Sequence, residues 1–65
     1  MLAACEWKIL RLLELNPFLG VETLREMVGA PIAAHLYALV KLGFVEGAGD
    51  KVRITEKGLA VLKET

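Results

Sequence analysis

The stretch VRITEKGLAVL, residues 52–62, changes its hydrophobic period halfway along. Val52 and Ile54 alternate with a charged residue, and this alternation is typical of a half-buried strand. Thr55 is a favourable helix N-cap because its hydroxyl can accept an early backbone N–H, and Glu56 suits the positive end of the helix dipole just inside the cap. The stretch therefore predicts a strand that runs directly into the N-cap of a short final helix.

The composition predicts one small domain spanning residues 1–65, a size at which a single core is only marginally sufficient. Eight basic and eight acidic residues cancel, so the chain has no overall field that would attract nucleic acid or an anionic membrane. Any nucleic-acid binding must therefore depend on local charge. Cys5 is the single cysteine, which excludes an internal disulfide and fits a reducing cytoplasm.

The apolar fraction of 55% raises the question of a membrane segment. The longest stretch without a formal charge, residues 27–40, is shorter than the ~20 apolar residues that cross a bilayer, and Gly29 and Pro31 interrupt it. Charged residues begin at Glu6 without a preceding basic region, so a signal peptide is not expected. The sequence predicts a cytoplasmic protein with no membrane partner.

Hydrophobic periodicity predicts four helices and one hairpin. Residues that start or stop helices separate these elements: Asn16-Pro17 after a first helix over residues 3–15, Gly20 and Gly29 around the second, Pro31 in the first turn of the third and Gly43 after it. Two strands then flank a turn at residues 47–50, whose glycines tolerate positive φ. The inward-facing positions predict one core: Ile9, Leu12, Leu13, Leu24, Val28, Ile32, Leu36, Leu39, Val52, Ile54, Leu59 and Leu62.

The first helix carries two apolar stripes, whereas a helix of a small bundle commonly needs one apolar face. The second stripe consists of Ala3, Trp7 and Leu10. A patch that contains a tryptophan is unusual on a free monomer, so this face predicts the interface of a homodimer. The alternative is that the hairpin or the last helix covers Trp7 within one chain.

Three passages, taken in order, carry a resemblance to a known class of domain: EWKILRLLELNPFLGVETLREMVG, HLYALVKLGFVE and ITEKGLAVL. Together they resemble winged helix-turn-helix domains, most closely the core of MarR-like transcriptional regulators, over nearly the whole chain. The resemblance implies a mainly α fold of the α+β class, with a three-helix helix-turn-helix core, a two-stranded hairpin wing and a short C-terminal helix. It also implies a small cytoplasmic DNA-binding protein that regulates transcription as a homodimer. Gly58 would let the last helix lie close against its neighbours.

The third helix departs from that family in its side-chain chemistry. Its predicted outward face consists of small or apolar residues: Ala30, Pro31, Ala33, Ala34, Tyr37 and Ala38. Recognition helices offer hydrogen-bonding side chains to base edges, but this chain has no serine and no glutamine, and its single asparagine ends the first helix. DNA binding would then depend on backbone and wing contacts. The alternative is a protein-protein interaction module without sequence-specific DNA binding, which would use Ala33, Ala34, Tyr37 and Ala38.

The candidate nucleic-acid contacts are basic or aromatic residues of the predicted wing and helices: Lys51, Arg53, Lys41, Tyr37 and Arg25. Outward charges at strand spacing on a wing can contact phosphates of double-stranded DNA. The alternative is that these residues are ordinary solvated charges.

The single histidine and the single cysteine argue against catalysis. A nucleophile needs a base and an orienting group, and a zinc site needs about four ligands. The sequence therefore predicts no enzyme, no metal and no cofactor. It predicts that His35 is a structural or surface residue of a helix and that Cys5 is a small core residue.

Overall fold

The computed structural model describes residues 2–64, which form four helices and one antiparallel sheet of three strands. In chain order the elements are α1 (Ala4–Leu15), β1 (Leu19–Gly20), α2 (Val21–Val28), α3 (Ala33–Lys41), β2 (Val45–Ala48), β3 (Lys51–Ile54) and α4 (Glu56–Lys63). The strands are ordered β1-β3-β2. The fold therefore belongs to the α+β class. No helix among the described residues is long and apolar enough to span a bilayer.

Local chemistry fixes both ends of α1. At its start the backbone N–H of Ala3 donates to Glu6 Oε1 over 3.1 Å, which is half of a capping box, since alanine has no side-chain acceptor to complete it. At its end the backbone N–H and the side-chain amide of Asn16 both donate to the carbonyl oxygen of Leu12, over 2.9 and 2.8 Å. Pro17 disfavours a further helical residue. The predicted helix end at Asn16 is confirmed.

α1 lies at the centre of the fold and packs against α2, α3, α4 and β3. Ile9, Leu10 and Leu13 are consequently 0% exposed. Leu10 as a residue of an intermolecular interface was a wrong prediction, because the elements packed around α1 bury this side chain completely. Trp7 is half-buried against the core, and Ala3 is exposed. The second stripe of α1 therefore gives little support to self-association.

Both ends of α2 agree with the prediction, whereas α3 begins later than predicted. Gly20 precedes α2, and Gly29, with a φ of 77°, ends it. Pro31 does not lie in the first turn of α3, as the sequence predicted: Ile32, with a φ of −118°, is the N-cap, and its carbonyl oxygen accepts from the backbone N–H of Leu36 over 2.7 Å. α3 therefore starts at Ala33.

The sheet contains one strand more than the sequence predicted. β2 and β3 form the expected hairpin, and its tight turn is Gly49-Asp50, where Gly49 has a φ of 69°. In addition, β1 pairs antiparallel with β3, with Leu19 opposite Val52. The prediction of a two-stranded sheet was incomplete because a strand of two residues is too short to show an alternating pattern.

The junction from β3 to α4 follows the prediction. Thr55 Oγ1 accepts from the backbone N–H of Gly58 over 3.1 Å and donates to the carbonyl oxygen of Gly43 over 2.6 Å. The cap therefore also ties the start of α4 to the chain just after α3. Gly58 is buried, and a Cβ added there would lie 2.6 Å from Ile54 Cγ1. The predicted close approach of α4 to its neighbours is confirmed.

The core of the described residues is entirely apolar. Its members are Ile9, Leu10, Leu13, Leu24, Ile32, Leu36, Leu39, Val45, Val52 and Leu62. Eight of the twelve predicted core positions are buried, while Leu12, Val28, Ile54 and Leu59 are partly buried. Leu10 and Val45 were not predicted. Cys5, predicted as a small core residue, is only partly buried and is not a member of this core.

Candidate functional site

The outward face of α3 presents an apolar stripe to solvent. Ala33, Tyr37 and Val40 have the spacing i, i+4 and i+7, which places them along one side of a helix. Tyr37 is 66% exposed and Val40 is 45% exposed. We refer to Ala33, Tyr37 and Val40 as the α3 stripe. Val40 was not among the predicted outward residues, although its position seven residues after Ala33 indicates the same side of the helix.

Small side chains surround the α3 stripe. Ala34 is exposed as predicted, and so are Ala30 and Pro31 just before the helix. Ala38, which was also predicted to face outward, is half-buried. Small residues allow the backbone of another molecule to approach closely. The outer surface of α3 is therefore shallow, apolar and almost without hydrogen-bonding groups.

Lys41 brings one positive charge to this surface. Its Nζ lies 5.5 Å from the centroid of the Tyr37 ring, so the structure places two of the predicted contact residues together. Such a cation–π contact contributes about 0.5–1 kcal/mol at an exposed site. Within residues 2–64, Lys41 forms no salt bridge with a carboxylate.

Both predicted arginine contacts are engaged by carboxylates of the same chain. Arg53 Nε donates to Glu46 Oε1 across the β2–β3 pair, where the two residues are opposite each other. An Arg25 side-chain nitrogen lies 2.6 Å from Glu22 Oε1, one turn earlier in α2. These pairs are solvent-exposed, so each contributes little to stability, but they reduce the positive charge that either arginine offers to a phosphate.

Lys51 is exposed at the start of β3 and, within the described residues, forms no salt bridge. The hairpin as a whole is nevertheless balanced, because Glu46 and Asp50 accompany Lys51 and Arg53. The predicted nucleic-acid contacts therefore do not form a continuous basic patch: one pair lies on α3, one residue on α2 and two on the hairpin.

A hydrogen bond between His35 and Glu6 joins the first turn of α3 to the first turn of α1. His35 Nδ1 lies 2.8 Å from Glu6 Oε2, and the ring nitrogen donates because an ionised carboxylate can only accept. The other oxygen of Glu6 accepts from Ala3 at the start of α1. Glu6 thus joins the first turns of two helices. Of the two roles predicted for His35, structural or surface residue, this contact gives it the structural one. Their pairing was not predicted, since nothing in the local pattern links residues so far apart in the chain.

This contact makes stability depend on pH in the acid range. The hydrogen bond from His35, followed by that from the Ala3 backbone, lowers the pKa of Glu6 below its ordinary value of 4.5. A lowered folded-state pKa contributes stability above the unfolded-state value, and this contribution disappears as the pH falls through the folded-state value.

We expect urea unfolding to show a larger loss of stability between pH 6 and pH 3 for the wild type than for Glu6→Gln. Glu14→Gln, an exposed position of α1, controls for the removal of one negative charge, and an equal loss in wild type and Glu6→Gln would contradict the expectation.

Within residues 2–64, no three His, Cys, Asp or Glu side chains are close enough together to hold a metal ion. Comparisons of the chain with protein-family models, with curated proteins and with solved structures give no match.

Proposed function

We propose that this chain is a winged-helix domain that binds another protein through the α3 stripe. The order of its elements supports the winged-helix assignment: α1, α2 and α3 would form the helix-turn-helix core, the β2–β3 hairpin the wing, and α4 the C-terminal helix. In this arrangement α3 occupies the position of the recognition helix, so its exposed face is the expected contact surface.

The observation that carries the proposal is the exposure of Tyr37 among small apolar residues. Its side chain is 66% exposed, although a tyrosine ring can bury a large area at a low cost in conformational entropy. Tyrosine is enriched among the residues that dominate the energy of protein interfaces. Ala33 and Ala34 beside it contribute no polar group that would need to be desolvated.

The same chemistry makes α3 a poor reader of DNA. Base edges are recognised through side-chain donors and acceptors, and the exposed positions of α3 provide the Tyr37 hydroxyl and the Lys41 ammonium as their side-chain hydrogen-bonding groups. Both arginines of the predicted contact set already have carboxylate partners. The electrostatic contribution to DNA binding is thereby weakened.

An affinity experiment with extract of the source cells tests the proposal. The wild-type protein, Tyr37→Glu and Leu15→Glu are immobilised separately; Leu15 is 77% exposed and lies on α1, so its variant controls for a charge placed on any exposed apolar residue. We expect a protein that is retained by the wild type and by Leu15→Glu but lost with Tyr37→Glu. Retention of the same proteins by all three would refute a role for the α3 stripe.

DNA binding is the second candidate, and the exposed, unpaired state of Lys51 and Lys41 within the described residues favours it. In that case the chain would be a small transcriptional regulator that contacts phosphates through the wing and the end of α3. The affinity for duplex DNA should then fall steeply with salt, because phosphate contacts release counterions.

Two neighbouring positions of β3 give a matched test of that candidate. We expect Lys51→Ala to lower the slope of log affinity against log salt by about 1, the value for one lost phosphate contact. Arg53→Ala, on the same strand but at a residue paired with Glu46, should lower it less. Affinity that is weak and independent of salt in the wild type would remove the DNA-binding candidate.

A further inference from the structure

We infer that the partner of the α3 stripe is an amphipathic helix of another protein that carries an acidic residue beside its apolar seam, and not a second copy of this chain. This inference rests on the proposed protein-binding function and names the partner class for the same surface. Three features of α3 support it: the spacing of the stripe, the position of the Lys41 charge, and the composition of the first turn of α3.

The shape of the stripe favours a helical partner. Residues at i, i+4 and i+7 form a seam along one side of a helix, and the side chains of such a seam insert into the holes between side chains of a second helix. From Ala33 to Val40 the stripe extends over about 10 Å at a rise of about 1.5 Å per residue. About two turns of α3 would therefore contact about two turns of a partner helix. Ala34, at its flank, allows the two helix backbones to approach closely.

The position of Lys41 determines the charge of that partner. Its ammonium group lies over the Tyr37 ring, 5.5 Å from the centroid, and therefore directly beside the more exposed of the two large side chains of the α3 stripe. A molecule that covers Tyr37 also removes water from Lys41. Burying an ammonium group without a partner is costly, so a carboxylate on the incoming helix is needed to compensate.

A second copy of the chain does not supply that carboxylate from α3. In an antiparallel twofold pair of α3 helices, Lys41 would face the first turn of the other α3, which has no acidic residue and lies at the positive end of the helix dipole. In a parallel pair the two Lys41 side chains would lie close together and repel each other. Self-association of two α3 helices would therefore leave Lys41 without a carboxylate from α3 in both geometries.

Two synthetic helical peptides provide a direct test. Both have leucines at i, i+4 and i+7 on an alanine-rich background, and they differ in two flanking positions, which are glutamate in one peptide and lysine in the other. Each is titrated into the isotope-labelled protein while backbone amide shifts are recorded. We expect the glutamate peptide to perturb α3 and to bind about fivefold more tightly than the lysine peptide, as for a contribution of about 1 kcal/mol per paired charge.

Variants of the protein assign the preference to one residue. Lys41→Glu should reverse the preference between the peptides, and Tyr37→Ala should weaken both, whereas Lys51→Ala, an exposed lysine of β3, should leave the preference unchanged. Equal affinity for both peptides at α3 would overturn the acidic-partner inference and leave the proposed function standing. Binding of neither peptide at α3 would overturn both. A dimer in sedimentation equilibrium that dissociates with Tyr37→Glu would also overturn the inference, in favour of a second copy.

Discussion

Replacing Leu13 with alanine is expected to lower the free energy of unfolding by about 2–5 kcal/mol, the range for truncating a fully buried leucine. Leu13 is 0% exposed at the centre of the core, and its removal deletes buried methyl groups and leaves a cavity that the surrounding helices fill only in part. A domain of this size has a stability of only a few kcal/mol, so much of the variant should be unfolded at room temperature. Chemical denaturation followed by the fluorescence of Trp7 measures the change.

Leu15→Ala is the matched control for that experiment. Leu15 is on the same helix and undergoes the same chemical change, but it is 77% exposed. Its substitution should change the free energy of unfolding by less than about 0.5 kcal/mol, as for most surface positions. Similar stabilities of Leu13→Ala and Leu15→Ala would contradict the packing of α1 at the centre of the fold.

The second large effect is expected at Gly58, where a single added methyl group should destabilise the protein by about 1–2 kcal/mol net. The new Cβ would lie 2.6 Å from Ile54 Cγ1 and closer still to the carbonyl oxygen of Phe44, so the backbone of α4 must move. Overpacking of this kind costs about 1–3 kcal/mol and occasionally more. It opposes the gain of up to about 1 kcal/mol that alanine brings over glycine inside a helix.

Gly47→Ala is the control for the glycine substitution. A Cβ at Gly47 would meet no atom within 4 Å, and its φ is not positive, so the variant should be as stable as the wild type or slightly more stable. Thermal unfolding of Gly58→Ala, Gly47→Ala and the wild type measures the difference in stability. If Gly58→Ala is stabilised as much as Gly47→Ala, α4 does not approach β3 and Phe44 as closely as described.

The features that the sequence predicted correctly are those set by neighbouring residues. Thr55 caps α4 because its hydroxyl reaches the N–H of Gly58 three residues later, and Asn16-Pro17 ends α1 by backbone chemistry confined to that turn. Such contacts involve few residues and recur in many folds. They are therefore visible in the sequence without knowledge of the tertiary structure.

The errors arise where packing between distant segments decides the outcome. Leu10 was assigned to an interface because helical periodicity shows that a second apolar stripe exists but does not show that other parts of the chain cover it. The contact between Glu6 and His35 was not predicted for the same reason, because it depends on how α3 crosses α1. The surface charges illustrate a third case: Arg53 was predicted to be available for phosphates, and it is paired with Glu46 only because the strand register places the two opposite each other.

The central position of β3 in the sheet has a consequence for how the chain folds. β3 pairs on one side with β2, its neighbour along the chain, and on the other side with β1, which precedes α2 and α3. The pairing with β1 can form only after the intervening helices have brought the two ends of a long loop together, which makes it a slow, non-local step. An isolated two-stranded hairpin is at best marginally stable in water. The hairpin is therefore expected to fold and unfold together with the N-terminal half, as part of one cooperative unit, and not to open and close as an independent flap.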